Sequence, residues 1–499
     1  MPSFQSPLPE IANDASSRIR YSFNDDWRFH KGDFLDAHAP EAPDQSWRKL
    51  RLPHDWAIEG PFDEKYNARC GGLPFHGIAW YRKRFFIPEH FADKAISIEF
   101  DGAMNNSEVW INGHFLGKRP YGYIGFAYDV SRYIKFGEED ENVISVKLSP
   151  EDLSSRWYPG AGLYRNSWIN FTEAIRVARN GTFVNTDSLE ASHAKISLKT
   201  EIENLSNVKA NIEVETKIYA PDQQLVAHEI TPASVLSNEQ TTHTQSLVIK
   251  SPIHWDINSP NLYKAVTSLI QNGEQTDKYE TTFGLRAIEF NNADGFLLNG
   301  RKVPLQGVCL HHDLGPLGAA FNLRATERQL EIMKEMGVNA IRTSHNPPSI
   351  EQLDLCDRMG ILVQVEAFDC WEMAKVENGY SKYFKDSHER DLRDMIRRDR
   401  NHPSVIMWSI GNEILEQRDG SLGPKIAKRL NNICHEEDPT RPTTAGFNIY
   451  PDAIDNGLAA AVDLVGLNYK PTRYKEVLQA HPDWIVYGAE TCMTPTRPS

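Results

Sequence analysis

The chain has 499 residues, of which 40% are hydrophobic and 24% charged, and it carries 54 Lys and Arg against 68 Asp and Glu for a net charge of −14. This length predicts two to four domains, and the composition is that of a folded globular protein. The acidic balance argues against nucleic acid or an anionic membrane as partner and leaves neutral ligands such as sugars.

In chain order, the first twenty residues lack the basic-then-apolar pattern of an export signal. No stretch of about 18 apolar residues suggests a membrane span. Both point to a cytoplasmic protein, or to a periplasmic or secreted one whose signal has been removed. Residues 1–175 form a first domain, all-β from about residue 20. Its runs Trp80–Ile87, Ala95–Phe100, Ser107–Ile111 and Val143–Leu148 are separated by turn signals such as Asp101-Gly102 and Asn112-Gly113. This predicts an antiparallel jelly-roll β-sandwich. Residues 176–290 alternate apolar and polar over Ala194–Ile202, Ala210–Ile218 and Thr244–Ile249, which predicts an immunoglobulin-like β-sandwich.

From residue 291 the pattern changes to strand–helix alternation, the mark of parallel βαβ units. Strands are predicted at Val303–Leu310, Ala340–Thr343, Ile361–Val365, Val405–Ile410, Thr443–Phe447, Leu464–Leu467 and Ile485–Tyr487. Helices are predicted at Thr326–Met336, Ile350–Met359, Ser387–Arg400 and Lys425–Glu437. A TIM-type (β/α)8 barrel needs eight strands over about 250 residues. Only 499 − 290 = 209 residues remain, so residues 291–499 are expected to form an incomplete barrel of about seven strands with a seam between the first and the last. On this reading the 499-residue chain is weakly active or inactive.

Active sites of such barrels lie at the C-terminal ends of the strands. Those ends carry His311, His312 and Asp313; Arg342 and His345; Glu366 and Asp369; Asn412 and Glu413; Tyr469; and Glu490. Glu413 and Glu490 end the fourth and seventh strands, across the barrel mouth from each other. Paired carboxylates are what glycoside cleavage requires, one giving a proton and the other attacking carbon or activating water. Two rim glutamates held in salt bridges would give the same pattern.

Several segments together resemble glycoside hydrolase family 2. The stretch DRNHPSVIMWSIGNE (399–413) is similar to its acid/base signature, NAIRTSHNPPS (339–349) to its other barrel signature, IVYGAET (485–491) to its nucleophile strand and GVCLHHD (307–313) to its first-strand motif. LPHDW (52–56), AWYRKRF (79–85) and RWYPGAGLYRNSW (156–168) resemble its sugar-binding jelly roll, and WDINSPNLY (255–263) with FGLRAIEF (283–290) the end of its immunoglobulin-like domain. The resemblance runs along nearly the whole chain in one order. It implies a retaining exo-β-glycosidase, with Glu413 as acid/base and Glu490 as nucleophile. It further implies that Asn412 bonds the sugar 2-hydroxyl, that Tyr469 orients Glu490, and that His311, Arg342 and His345 line the terminal-sugar subsite. Arg342 could instead hold a carboxylate in place.

Asp369 and Trp371 are candidates for binding hydroxyls and stacking a ring, or equally for a rim hydrogen bond and a packing aromatic. Asn67, in a loop of the first domain, is a candidate to reach the site. Glu366 is read as part of a charge network with Arg342, and His402 as structural. Some family members bind metal near the acid/base. Here the matching positions are Cys370 and Glu372, with Arg156 where some members have an ion-binding Asp, so no metal is expected. No cofactor is expected either. Cys70, Cys309, Cys356, Cys370, Cys434 and Cys492 form no Cys-x-x-Cys pair and are read as reduced thiols.

The implied substrate is an oligosaccharide or glycoside, with β-galactosides first and β-glucuronides and β-mannosides after. A homo-oligomer is possible. A non-catalytic carbohydrate-binding fragment is the main alternative. A phosphate-binding metabolic barrel is disfavoured, because no Gly-rich loop leads into a helix after the seventh strand.

Overall fold

The computed structural model describes residues 17–491. The first domain is built from two antiparallel sheets. One has four strands, in the order Arg18–Ser22, Ser167–Thr172, Ala95–Phe100 and Phe126–Asp129. The other has six, in the order Arg48–Leu50, Trp27–Lys31, Ala79–Phe85, Asn142–Leu148, Ser107–Ile111 and His114–Arg119. Alternation places one face of each strand inward. Trp27, Tyr81, Phe85, Ile96, Ile98, Val109, Ile144 and Phe171 fill the space between the sheets.

The second domain pairs a three-stranded sheet (Ile175–Leu189, His193–Asn204, Glu239–Lys250) with a four-stranded one (Leu225–Val235, Ala210–Tyr219, Tyr263–Gln271, Glu274–Phe283). Its strands run longer than the alternation alone indicated, because polar outer residues continue the ladder beyond the apolar stretch. A small sheet of Ile288–Asn291, Gly295–Leu298 and Arg301–Lys302 leads to the barrel. Its Phe296 and Leu298 pack with Trp255, Leu362, Ile406 and Leu464.

The barrel portion is one parallel sheet of seven strands in sequential order. The strands are β1 (Gly307–Leu310), β2 (Ala340–Thr343), β3 (Leu362–Glu366), β4 (Val405–Asn412), β5 (Thr443–Phe447), β6 (Leu464–Asn468) and β7 (Val486–Glu490). Around them lie α1 (Leu323–Glu335), α2 (Ile350–Met359), α3 (Ser381–Asp399), α4 (Gly423–Glu437), α5 (Tyr450–Asp455) and α6 (Tyr474–Ala480). The last two helices escaped sequence reading because six or seven residues are too few for a helical period to show. β1 begins four residues later than its apolar run suggested, since Val303 and Leu305 belong to the packing beneath the barrel. Strands β3 to β6 are buried along their length, as expected of parallel strands covered on both faces. β1 and β7 share no backbone ladder. Across the seam Cys309 Sγ lies 3.5 Å from Ala489 O. No helix among the described residues is long and apolar enough to cross a membrane.

Candidate active site

The strand ends that bear the candidate residues are irregular. β4 and β5 pair with a register shift between Ser409 and Asn412, and β6 and β7 with a shift between Leu467 and Asn468. Such bulges re-aim side chains at a rim. Glu413 and Tyr469 follow these shifts with φ of 44° and 57°. Non-glycine residues in this left-handed region carry strain of about 1–3 kcal/mol that the surrounding structure must hold. Glu413 is held by its backbone N–H donating to Gly446 O at 2.8 Å, and Tyr469 by its N–H donating to Glu490 O at 2.6 Å.

Glu490 sits in a nest of donors. Arg342 Nη1 donates to its Oε1 at 2.6 Å, the Tyr469 hydroxyl donates to its Oε2, and His345 Nε2 lies 3.8 Å from Oε1. Burial pushes its pKa up, but Arg342, Tyr469 and His345 together hold it below the usual carboxylate value. Glu490 is therefore poised as a charged carboxylate.

Arg342 is the hub. Its side chain is only 4% exposed, and it holds other groups in place. Nε donates to Glu366 Oε2 at 3.0 Å, and Nη2 to Glu366 Oε1 at 3.0 Å and Oε2 at 2.8 Å. Nη2 also donates to Asn412 Oδ1 at 2.8 Å. Glu366 is fully buried and further contacts His345 Nδ1 at 2.7 Å and accepts from Ser409 Oγ at 2.6 Å. A buried carboxylate is tolerated only with such pairing.

Glu413 differs. Its Oε1 accepts from Asn468 Nδ2 at 3.1 Å, and among the described residues no Lys or Arg forms an ion pair with it. Asn468 Nδ2 also lies 3.3 Å from Asn412 Oδ1. Two successive residues at the end of β6 therefore touch the two carboxyls, Asn468 on Glu413 and Tyr469 on Glu490. Asn412 is buried, and its Nδ2 donates to Asp369 Oδ1 at 3.0 Å. The close packing requires Gly446: a Cβ there would stand 2.9 Å from Asn468 Oδ1 and 3.2 Å from both Arg342 Nη2 and Asn412 Oδ1.

Asp369 spends both oxygens on Arg156, Lys375 and Asn412. Trp371 is fully buried and donates Nε1 to Ile410 O at 2.8 Å, so its ring is closed to a sugar; a rim position in sequence does not decide which way a side chain turns. Asn67 caps a 3₁₀ turn, its Oδ1 accepting from Arg69 N at 2.9 Å, and it makes no contact with the carboxyl pair. His311 stacks on Trp157 with centroids 5.1 Å apart, and His345 meets the same ring edge-on at 5.5 Å. His312 contacts Pro159 O at 3.0 Å. His402 Nδ1 pairs with Asp357 Oδ2 at 2.6 Å and ties the loop before β4 to α2.

Sequence reading placed Ser409 and Asn468 at strand ends without giving either a role; it missed Lys375 and Trp157, which depend on loop placement. At Cys370 and Glu372, burial pushes the Cys370 thiol up to about 12, and Glu372 faces Arg429 at 3.6 Å. A protonated thiol is a poor partner for a hard cation. The five described cysteines are free; Cys492 lies outside the described residues.

Fold and site define a three-domain protein with a parallel barrel whose rim holds two carboxyls in unequal surroundings. The glycosyl hydrolases family 2 sugar binding domain matches residues 21–170, the central family 2 domain residues 176–286, and the family 2 TIM barrel domain residues 288–487. The chain belongs to glycosyl hydrolases family 2. It is 44% identical to the beta-galactosidase BoGH2A of Bacteroides ovatus over 94% of this chain and 58% of that protein. Among solved structures it is similar to a family 2 member from Bacteroides cellulosilyticus, with a TM-score of 0.90, 38% identity, and coverage of 94% of this chain and 61% of that one. It is also similar to a beta-glucuronidase from Bacteroides uniformis, with a TM-score of 0.83, 27% identity, and coverage of 94% and 58%. The chain thus spans about three fifths of the length of these relatives.

Proposed function

We propose that this chain carries the catalytic centre of a retaining exo-β-glycosidase acting on terminal β-linked sugars, β-galactosides foremost. The observation that carries the reading is the unequal surroundings of the two rim carboxyls. Glu366, Asp369 and Glu490 each have a guanidinium or ammonium partner. Glu413 has no such ion pair among the described residues and accepts from the Asn468 amide. Of two carboxyls at one site, the one paired with a guanidinium is suited to attack as a carboxylate and the other to serve as the acid. Glu413 would then donate to the departing oxygen while Glu490 attacks the anomeric carbon. The C–O bond to the aglycone breaks as the ester to Glu490 forms. With Glu490 esterified its charge is gone, and Glu413 can take a proton from water for the second displacement. On this reading the second Asn412 amide hydrogen would bond the sugar 2-hydroxyl, a contact that strengthens toward the transition state.

The 44% identity to a beta-galactosidase favours β-galactosides; the likeness to a beta-glucuronidase makes β-glucuronides the second class to test. The test is incubation with 2-deoxy-2-fluoro glycosides of the galacto, gluco, glucurono and manno series, followed by peptide mass mapping. A sugar ester on Glu490 is expected. An adduct on another residue, or turnover with inversion, would overturn the reading.

A further inference from the structure

The first sandwich sends a loop into the barrel mouth, and its Arg156 lies 213 positions before its partner. Arg156 Nε donates to Asp369 Oδ2 at 2.8 Å and Nη2 to Oδ1 at 2.5 Å. This is the two-pronged geometry in which guanidinium binds carboxylate best. Asp369 Oδ1 also accepts from Lys375 Nζ at 3.0 Å and from Asn412 Nδ2 at 3.0 Å. Lys375 Nζ in turn donates to the Asn412 main-chain oxygen at 2.6 Å. Asn412 is thereby gripped at side chain and backbone, immediately before strained Glu413.

We propose that Arg156 is a positioning residue: by fixing Asp369 it sets Asn412 and the Glu413 turn, so the first sandwich is a working part of the catalytic centre and not only a sugar-binding appendage. The inference rests on the two-carboxyl reading above. Lys375 alone could neutralise Asp369, but a single ammonium leaves the carboxylate free to rotate away from Asn412. Two prongs from Arg156 fix its plane. The two cations also hold Asp369 well below the usual carboxylate range against the burial that opposes them. The positive charge of Arg156 is felt by Glu413 and Glu490 as well.

A mere tie between domains would look similar, and the molecule supplies a control. Arg119, also in the first sandwich, pairs with Asp391 at 3.1 Å and Asp394 at 2.7 Å on α3, with no contact to the rim carboxyls. Arg156→Met, Arg156→Lys and Arg119→Met are compared in the full chain. The readouts are melting temperature, kcat and KM on aryl β-glycosides, and the carboxyl titration of Glu490 followed by NMR with labelled glutamate.

Arg156→Met is expected to lower kcat about ten-fold, the size of one charge-assisted hydrogen bond, with KM nearly unchanged. It is also expected to move the Glu490 titration to higher pH, because a nearby cation is lost. Arg156→Lys should recover part of both. Arg119→Met should lower the melting temperature and leave kcat and the titration in place. Unchanged kcat and titration in Arg156→Met would overturn the proposal, as would losses in both Met variants that merely follow the folded fraction. If the wild-type chain turns over no glycoside, the Glu490 titration decides alone: a shift in Arg156→Met and not in Arg119→Met supports the proposal, and no shift in Arg156→Met overturns it.

Discussion

Replacing Tyr469 by Phe removes one hydroxyl and little else. The side chain is 40% exposed at the rim, and its hydroxyl donates to Glu490 Oε2. Its loss opens no cavity, so the melting temperature should shift little. The chemistry should change more. A hydrogen bond to a charged group contributes about 1.5–3 kcal/mol, and half-exposure puts this one near the lower end, which is about ten-fold in rate. Tyr469 is also one of the groups that keep the Glu490 carboxyl below its usual value. Without it that value rises. The reaction needs Glu490 ionised, so activity is lost sooner on acidification and the acidic limb of kcat/KM moves to higher pH. The assay is a pH series on an aryl β-galactoside for the two proteins, with circular dichroism to compare folding. Less than a three-fold change in kcat together with an unmoved acidic limb would refute the role given to Tyr469.

Glu413→Gln should lower turnover of glycosides with poor leaving groups by about 10²–10⁴-fold, while azide with an activated aryl glycoside should yield a β-glycosyl azide; an α product or full activity would oppose the acid/base role. Gly446→Ala forces a Cβ to 2.9 Å from Asn468 Oδ1, and should destabilise by about 1–3 kcal/mol and reduce kcat, read by urea unfolding and kinetics. His402 is held up to about 9 by Asp357 although burial opposes it. The folded value exceeds the unfolded one of about 6.5, so this stabilisation is complete below pH 6.5 and is lost as pH rises through about 9. It amounts to on the order of 3 kcal/mol, and urea midpoints at pH 6 and 9.5 for wild type and His402→Gln would measure it. Chelation by EDTA should leave turnover unchanged, since the Cys370 thiol stays protonated; loss of activity restored by a divalent cation would contradict that.

Sequence by itself determined the architecture and the strand ends. Period-two alternation marks half-buried antiparallel strands, and near-continuous apolar runs between helical stretches mark buried parallel ones, so the change near residue 291 could be read locally. The strand-end rule then picked out Arg342, Glu366, Asn412, Glu413, Tyr469 and Glu490, which the structure gathers into one hydrogen-bonded network. What stayed illegible was the direction of each side chain and the arrival of distant loops. Trp371 follows a strand end yet turns inward to Ile410 O, and Asn67 turns back on its own loop. Arg156 and Trp157 reach the rim from a domain formed some 200 residues earlier in the chain. A periodic pattern reports which face of an element is buried. Whether a guanidinium bridges two domains depends on contacts between segments that share no local pattern, and only tertiary packing decides those.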